Sequence, residues 1–390
     1  MGQADGVNET GIRTAAALSE HPLATHAVGE CVGQLLDIGG PSPDLVVLFV
    51  TAPQVGALED ISPAVAGLLD PGVLIGGSAV SVLAGSREVE EHAALAAFGL
   101  WTGSRRSVRS VRLTAAPTPE GPEFRGIDLL AGETGTLILV SDPFSFPVEA
   151  VLEELAVMAP DLTVIGGMAS AARQRGGNRL LLDGEIHTDG AVGVLLDPSV
   201  PVRPVVSQGC RPFGEPQTVT RAERNIVYEL AGRPALDRLL EQVERLDDAD
   251  RALAAKGLHI GRVIDEHRDV FARGDFLVRG VVGADKAVGA IAIGDSVDIG
   301  TTVQFQVRDA ESADEDLRSM MADRSANGAL VFTCNGRGSA LFGAPDHDAT
   351  VIHEALGNAA VAGMFCAGEI GPIGGANFVH GFTASVALIG

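Results

Sequence analysis

Aromatic side chains are scarce in this chain, at 4% of 390 residues, with one Trp and one Tyr. Glycine is abundant instead, at 49 residues, which predicts many turns and strands packed through Val, Ile, Leu and Ala. Cysteine is limited to Cys31, Cys210, Cys334 and Cys366, with no CxxC pair among them. That spacing excludes a conventional structural zinc site. No basic, apolar leader opens the sequence and no apolar run reaches the ~18–20 residues of a membrane span, so reduced thiols in the cytoplasm are expected. Basic charge is also short, with 28 Lys and Arg against 51 Asp and Glu for a formal net charge of −23. Such a field repels phosphate backbones and anionic lipid, which argues against nucleic-acid and membrane partners. It does not exclude a local basic pocket. No GxxxxGK[ST], GxSxG or HExxH motif occurs, and the glycines at 371–375 lead into no helix. Nucleotide-triphosphate, nucleophile-elbow, zincin and dinucleotide readings therefore lack their signatures, and no cofactor is expected.

What is present is a globular composition, 46% apolar and 20% charged, in a chain long enough for about two or three domains. Polar Met1 to Asn8 is read as loose. Gly11 to Ile38 shows helical spacing, with Leu23, Ala27, Cys31 and Leu35 four apart. A unit of strand, helix, strand, loop and strand then recurs. Leu45–Val50, Glu59–Leu69, Val73–Ala79 and Ala94–Trp101 form the first copy, with Pro63 expected in the first turn of its helix. Thr136–Val140, Val148–Met158, Thr163–Ala169 and Gly190–Leu196 form the second, with a hairpin around Asp183-Gly184. Ala329–Cys334, Asp348–Leu356, Val361–Ala367 and Phe382–Ile389 form a looser third. LIGGSA at 74–79 matches VIGGMA at 164–169 in position within the unit, which points to duplication. Between the second and third copies, Pro204–Gln208, Arg221–Val227, Gly280–Ile293 and Gly300–Val307 read as strands, and Pro234–Val243 and Asp314–Arg324 as helices. The expected fold is α+β, with mixed sheets and packed helices in two halves near 40–200 and 225–390.

Chemistry-bearing residues gather at the end of the chain. Met364 to Thr383 places Glu369 among Gly368, Gly371, Gly374 and Gly375, and follows them with Asn377, His380 and Thr383. Glycine at this density lets backbone take up positive φ or approach another group closely. The plainer alternative is a tight hairpin whose polar residues only satisfy the turn. Cys334-Asn335-Gly336-Arg337-Gly338 also leaves a strand, and its amides could form an anion nest beside the Arg337 guanidinium. Asp346 or Asp348 could simply cap the helix that follows. Ser207 to Pro212 puts Cys210 and Arg211 at another strand end, whereas Arg87-Glu88 and Glu90-Glu91 look like a solvated charge run.

The segment Phe365 to Thr383 resembles the closing motif FCAGEIGP-GG-NFLHGFT of the FIST family (F-box and intracellular signal transduction proteins), with Val379 in the usual leucine place. CNGRG at 334–338, REVEE at 87–91, the two IGG segments and SQGCRPFGEP at 207–216 fit the same family. The resemblance implies an N-terminal helical segment at 1–40, a FIST N-terminal domain at 41–220 and a FIST C-terminal domain at 221–390. It also implies a sensory protein that binds a small ligand, an amino acid or a derivative, and works with a signalling protein partner. No F-box, kinase or methyl-accepting output segment is read in the chain, so the response pathway stays unnamed.

The expected binding residues are Asn335, Arg337, Glu369, Asn377 and His380, with Arg211 from the preceding block. Arg337 would hold a ligand carboxylate and Glu369 its amine. Two alternatives stand beside this reading. One is an enzyme using Cys334 or Cys366 as nucleophile with His380 or His347 as base. The other is a non-catalytic scaffold that engages proteins through its acidic surface.

Overall fold

The computed structural model describes residues 11–119, 121–268 and 270–390; the segment Met1 to Asn8, read above as loose, lies outside them. The fold is α+β with mixed sheets. The chain forms two compact units. The larger contains residues up to Val206, Leu317–Val379 and Thr383–Gly390, and the smaller Ser207–Asp316 and His380–Phe382.

Three sheets make up the larger unit, and each follows one plan. In the first, Leu95–Trp101, Leu45–Thr51 and Val73–Ala79 lie side by side, the last two parallel. The second does the same with Ala191–Leu196, Gly135–Ser141 and Leu162–Met168. The third uses Thr383–Ile389, Gly328–Cys334 and Ala360–Cys366. Each sheet is extended by a hairpin that belongs, in sequence, to another sheet's unit. Leu180–Leu182 and Glu185–His187 join the first sheet, Glu369–Ile373 and Ala376–His380 the second, and Ser81–Ala84 and Arg87–Glu90 the third. The exchange is cyclic, so no sheet is completed by its own segment.

The Gly-Gly signals now have a physical cause. A Cβ on Gly76, Gly166 or Gly363 would lie 1.9, 1.9 or 2.0 Å from the carbonyl oxygen of Leu48, Leu139 or Val331 on the adjacent parallel strand. Only glycine permits that approach. One face of each sheet turns to a shared core that includes Val47, Phe49, Ile138, Val140, Phe332 and Met364. The other faces carry helices. Ala24–Gly39 and Leu58–Leu69 cover the first sheet, Val148–Met158 the second and His347–Leu356 the third.

Several local expectations are corrected. Arg13–Ser19 is a strand, not helix, and pairs with Leu95–Trp101. Its alternating burial follows the period of two that the Ala-rich run conceals. Pro63 sits inside the helix Leu58–Leu69 rather than in its first turn. Arg87–Glu90 is a strand, and the polar run there is not a solvated segment, because Glu88 is buried.

In the smaller unit, Thr302–Arg308, Gln217–Glu223, Ile226–Leu230, Ala290–Ile293, Phe276–Asp285 and Leu258–Val263 are neighbours in that order. Leu258–Val263 pairs back onto Thr302–Arg308, which closes the ring. Such closure removes exposed strand edges. Val219, Val227, Ile260, Ile291, Phe305 and Val307 fill a core with Leu236 and Leu239 of the helix Ala235–Glu244. No helix among the described residues is long and apolar enough to cross a membrane.

Candidate functional site

The site grows from two parallel strands of the larger unit that stop together. Cys334 and Cys366 are register partners at the ends of Gly328–Cys334 and Ala360–Cys366. Beyond them, the Asn335 amide donates to the Cys366 carbonyl at 2.9 Å and the Arg337 amide to the Cys334 carbonyl at 2.8 Å. This tight return leaves Asn335 exposed and carries Arg337 inward until it is 1% exposed.

Arg337 grips Asp348 with a fork: Nε donates to Oδ2 at 2.6 Å and Nη2 to Oδ1 at 2.8 Å. Planar, two-point pairing of this kind suits guanidinium and carboxylate. Thr333 Oγ1 donates to Oδ2 at 2.6 Å, and His347 Nδ1 lies 2.9 Å from Oδ1. Burial pushes the Asp348 carboxyl up, but the Arg337 charge and its hydrogen bonds outweigh it and hold the group well below the usual carboxylate range. Asp348 does not cap its helix, and neither does Asp346, whose Oδ1 instead accepts from the Glu88 amide at 2.6 Å.

Glu369 opens the strand Glu369–Ile373, opposite Gly167 of the second sheet. It is not on the tight turn, which falls at Gly374-Gly375 with φ of 61° and 88°. Glu369 Oε2 accepts from Thr383 Oγ1 at 2.8 Å and from the Thr383 amide at 3.1 Å. Burial raises its pKa to about 8, against the lowering pull of Thr383, Arg337 and the Cys334 thiol. Near neutral pH the group therefore carries a proton for most of the time. Glu88 is raised to about 7, first by burial and then by Asp348, although the Ala349 amide donates to its Oε1 at 3.0 Å.

Three buried side-chain atoms here have no hydrogen-bond partner: Arg337 Nη1, Glu369 Oε1 and Glu88 Oε2. Native interiors rarely leave polar groups so, and each such group asks for an explanation. The repeated architecture sharpens the point. In each sheet one residue of the exchanged hairpin faces the position after the close-packed glycine. That residue is Leu180 in the first sheet, Val82 in the third and Glu369 in the second. Leu180 and Val82 are fully buried apolar residues. The fold therefore accepts a hydrocarbon at this corner, and the carboxylate is not imposed by it.

Of the residues expected from sequence, Arg337 and Glu369 are brought near enough for the guanidinium charge to act on the carboxyl. Asn377 is committed to the hairpin: its Oδ1 accepts from the Val164 amide at 2.9 Å and its Nδ2 donates to the Leu162 carbonyl at 2.8 Å. It extends the sheet edge where strand pairing has ended. His380 is buried and counts with the smaller unit. Arg211 also belongs to that unit, where it pairs with Asp250 at 2.5 Å and Asp309 at 3.2 Å. Thr333 and Glu88 are the members that sequence reasoning missed. Glu88 stands in a charged run, and its burial follows from a hairpin joining a distant sheet. Cys366 is a poor nucleophile, since burial pushes its thiol well above the usual range and leaves it facing the Met364 carbonyl. No group of three or more His, Cys, Asp or Glu among the described residues could hold a metal ion.

Two family comparisons bear on this geometry. The FIST N domain matches residues 44–233 and the FIST C domain residues 235–372. FIST domains are associated with signal transduction and small-ligand sensing. The chain is 42% identical over 374 residues to an uncharacterized protein of Mycobacterium bovis, covering 94% of this chain and 96% of that protein. An uncharacterized protein of Mycobacterium tuberculosis is 41% identical over 384 residues, covering 97% of this chain and 99% of its own length.

Proposed function

Because the chain belongs to the FIST family, we propose that it is a cytoplasmic sensor whose ligand is a free amino acid or a close derivative, read out by a signalling partner. The observation that carries this reading is the pair of unpartnered buried atoms: Arg337 Nη1, part of a permanent cation, and Glu369 Oε1, whose carboxyl becomes the matching anion only when its proton leaves. Arg337 spends two N–H groups on Asp348 and keeps a third direction for a ligand carboxylate. Asp348 holds the guanidinium in place, so little side-chain freedom is lost on binding. Glu369 receives the ligand amine, and the proton it carries near neutral pH leaves as the ammonium arrives.

Both groups are closed off from solvent, so entry requires the 334–338 segment to move. That segment is held at its base by the Asn335 and Arg337 backbone bonds, and Asn335 lies on its exposed side. Displacement of this segment on binding is the signal in this reading, since the segment also carries Arg337, the partner of Asp348.

Calorimetric titration with a panel of free amino acids tests the reading. Wild type should bind at least one member. Arg337→Lys, which keeps a cation beside Asp348 but loses the fork, and Glu369→Gln, which keeps size and the acceptor for Thr383, should each weaken that binding by tenfold or more, about 1.4 kcal/mol. Equal affinity in all three proteins would remove this pair from the site.

A further inference from the structure

We infer that the larger unit contains a second binding site, for a flat aromatic carboxylate that carries no amine. A cavity of about 330 Å³ opens beyond the carboxyl ends of the parallel strands Gly135–Ser141 and Leu162–Met168. Ligands of layered α/β folds commonly sit at that end of the strands. The volume falls within the ~300–1,000 Å³ of small-molecule pockets.

The walls are apolar and stiff. The run Pro143-Phe144-Ser145-Phe146-Pro147 leads from Gly135–Ser141 into the helix Val148–Met158 and lines one part of the cavity. Pro117 and Pro122, register partners on the paired strands Val108–Thr118 and Gly121–Arg125, line another. Each of the four prolines fixes its own φ, so little order is left to lose on binding. Phe146 is 3% exposed and packs edge-on against Phe124, with ring centres 5.8 Å apart. Phe144 is different: its ring is 40% exposed, although the loop around it is firmly tied. The Phe146 amide donates to the Asp142 carbonyl at 3.1 Å, and Ser145 Oγ donates to Asp142 Oδ2 at 2.6 Å. An aromatic face held open in a rigid cavity suits another flat ring.

The polar side of the lining selects the charge. Ser145 Oγ is already taken, since it also accepts from the Gly190 amide at 2.9 Å. That leaves Arg175, an exposed side chain with no hydrogen bond or ion pair among the described residues. Its neighbour Arg179 differs, donating from Nη1 to the Gly176 carbonyl at 2.9 Å. No acid lines the cavity among the described residues, in a chain of net charge −23. A ligand ring would lie on Phe144 and the proline faces, with its carboxylate forked on Arg175. Nothing in this lining receives an amine, which separates the ligand from a free amino acid.

The test is calorimetric titration of the full chain with naphthoate, naphthylmethanol and acetate. Naphthoate should bind with a Kd below about 1 mM, and the uncharged alcohol and the ringless acid at least about tenfold more weakly. Arg175→Ala should weaken naphthoate about tenfold and leave the alcohol unchanged, whereas Phe144→Ala should weaken naphthoate by a similar factor through the ring. Both positions are exposed, so melting temperatures should stay within about 2 °C of wild type and report folded protein. Absence of naphthoate binding to the folded protein at millimolar concentration overturns the inference. So does binding that neither substitution alters, or binding lost in Glu369→Gln, which would put the probe at the other site.

Discussion

Two buried polar clusters in the larger unit repay comparison. At the end of Gly135–Ser141, Asp142 and Asn178 are both fully buried. Asp142 Oδ1 accepts from Asn178 Nδ2 at 2.9 Å, its Oδ2 from Ser145 Oγ at 2.6 Å, and Asn178 Oδ1 from the Ala172 amide at 2.9 Å. Every oxygen of the pair is met. Where the third sheet's strands end and the hairpin that joins the second sheet begins, Arg337, Asp348 and Glu369 are just as deep, yet Arg337 Nη1 and Glu369 Oε1 have no partner. The same architecture thus builds one closed network and one that is open. The first ties a loop to its sheet; on the proposed reading, the second leaves its unmet atoms for a ligand.

The comparison can be broken at its strongest point by moving the carboxylate. Leu180→Glu puts an acid at the first sheet's equivalent of Glu369, where the core is hydrocarbon and the register partner is Gly77. Stability to urea should fall by more than about 4 kcal/mol, or the protein should not fold. A loss no greater than that of an ordinary surface substitution would mean that acids are tolerated at any such corner. Asp348→Ala comes next. It leaves the Arg337 charge buried and alone, and about 3–5 kcal/mol should be lost. Asp142→Ala removes a neutral-partner network and should cost about 2 kcal/mol in the same assay, with amino-acid binding unchanged. Loss of binding there would blur the division drawn between the clusters. The smallest effect is expected from Thr383→Val. It deletes the hydroxyl that donates to Glu369 at 2.8 Å, costs about 1 kcal/mol and raises the Glu369 pKa further.

Much of this architecture was legible in the residues. Apolar runs such as Leu45–Thr51 and Gly135–Ser141 are buried strands, and Val148–Met158 is the helix its pattern predicts. The exchange of hairpins was not legible. Ser81–Ala84 and Leu180–Leu182 are three or four residues long, and nothing local says which distant edge they will join. The burial of Glu88 follows from that non-local choice, so its charged surroundings misled. The helix Asp248–Lys256 was missed because it buries only Ala254 and carries little apolar pattern. Among site residues, glycine context and charge pointed to Arg337 and Glu369. The amide of Asn377 reads the same in sequence whether it meets a ligand or, as here, the backbone of Leu162 and Val164.

The account rests on Glu369 being held protonated by burial, at a cost in stability that rises with pH. Its pKa is about 8 folded, against an ordinary value of 4.5. Between those values the folded state keeps a proton that the unfolded chain has released, so the contribution of Glu369 to stability falls as pH rises from about 5 to 8. Glu88, at about 7, adds to the same slope; His259, lowered to about 4 by burial, opposes it up to about pH 6.5 and does so equally in both proteins; Asp348, with its depressed pKa, acts only in acid and in the opposite sense to the glutamates. Denaturant unfolding of wild type and Glu369→Gln at pH 5 and pH 8 measures this directly. Wild type should lose roughly 2–4 kcal/mol over that interval, and Glu369→Gln, which keeps the acceptor for Thr383 but cannot ionise, should lose much less. Equal slopes in the two proteins would contradict the account.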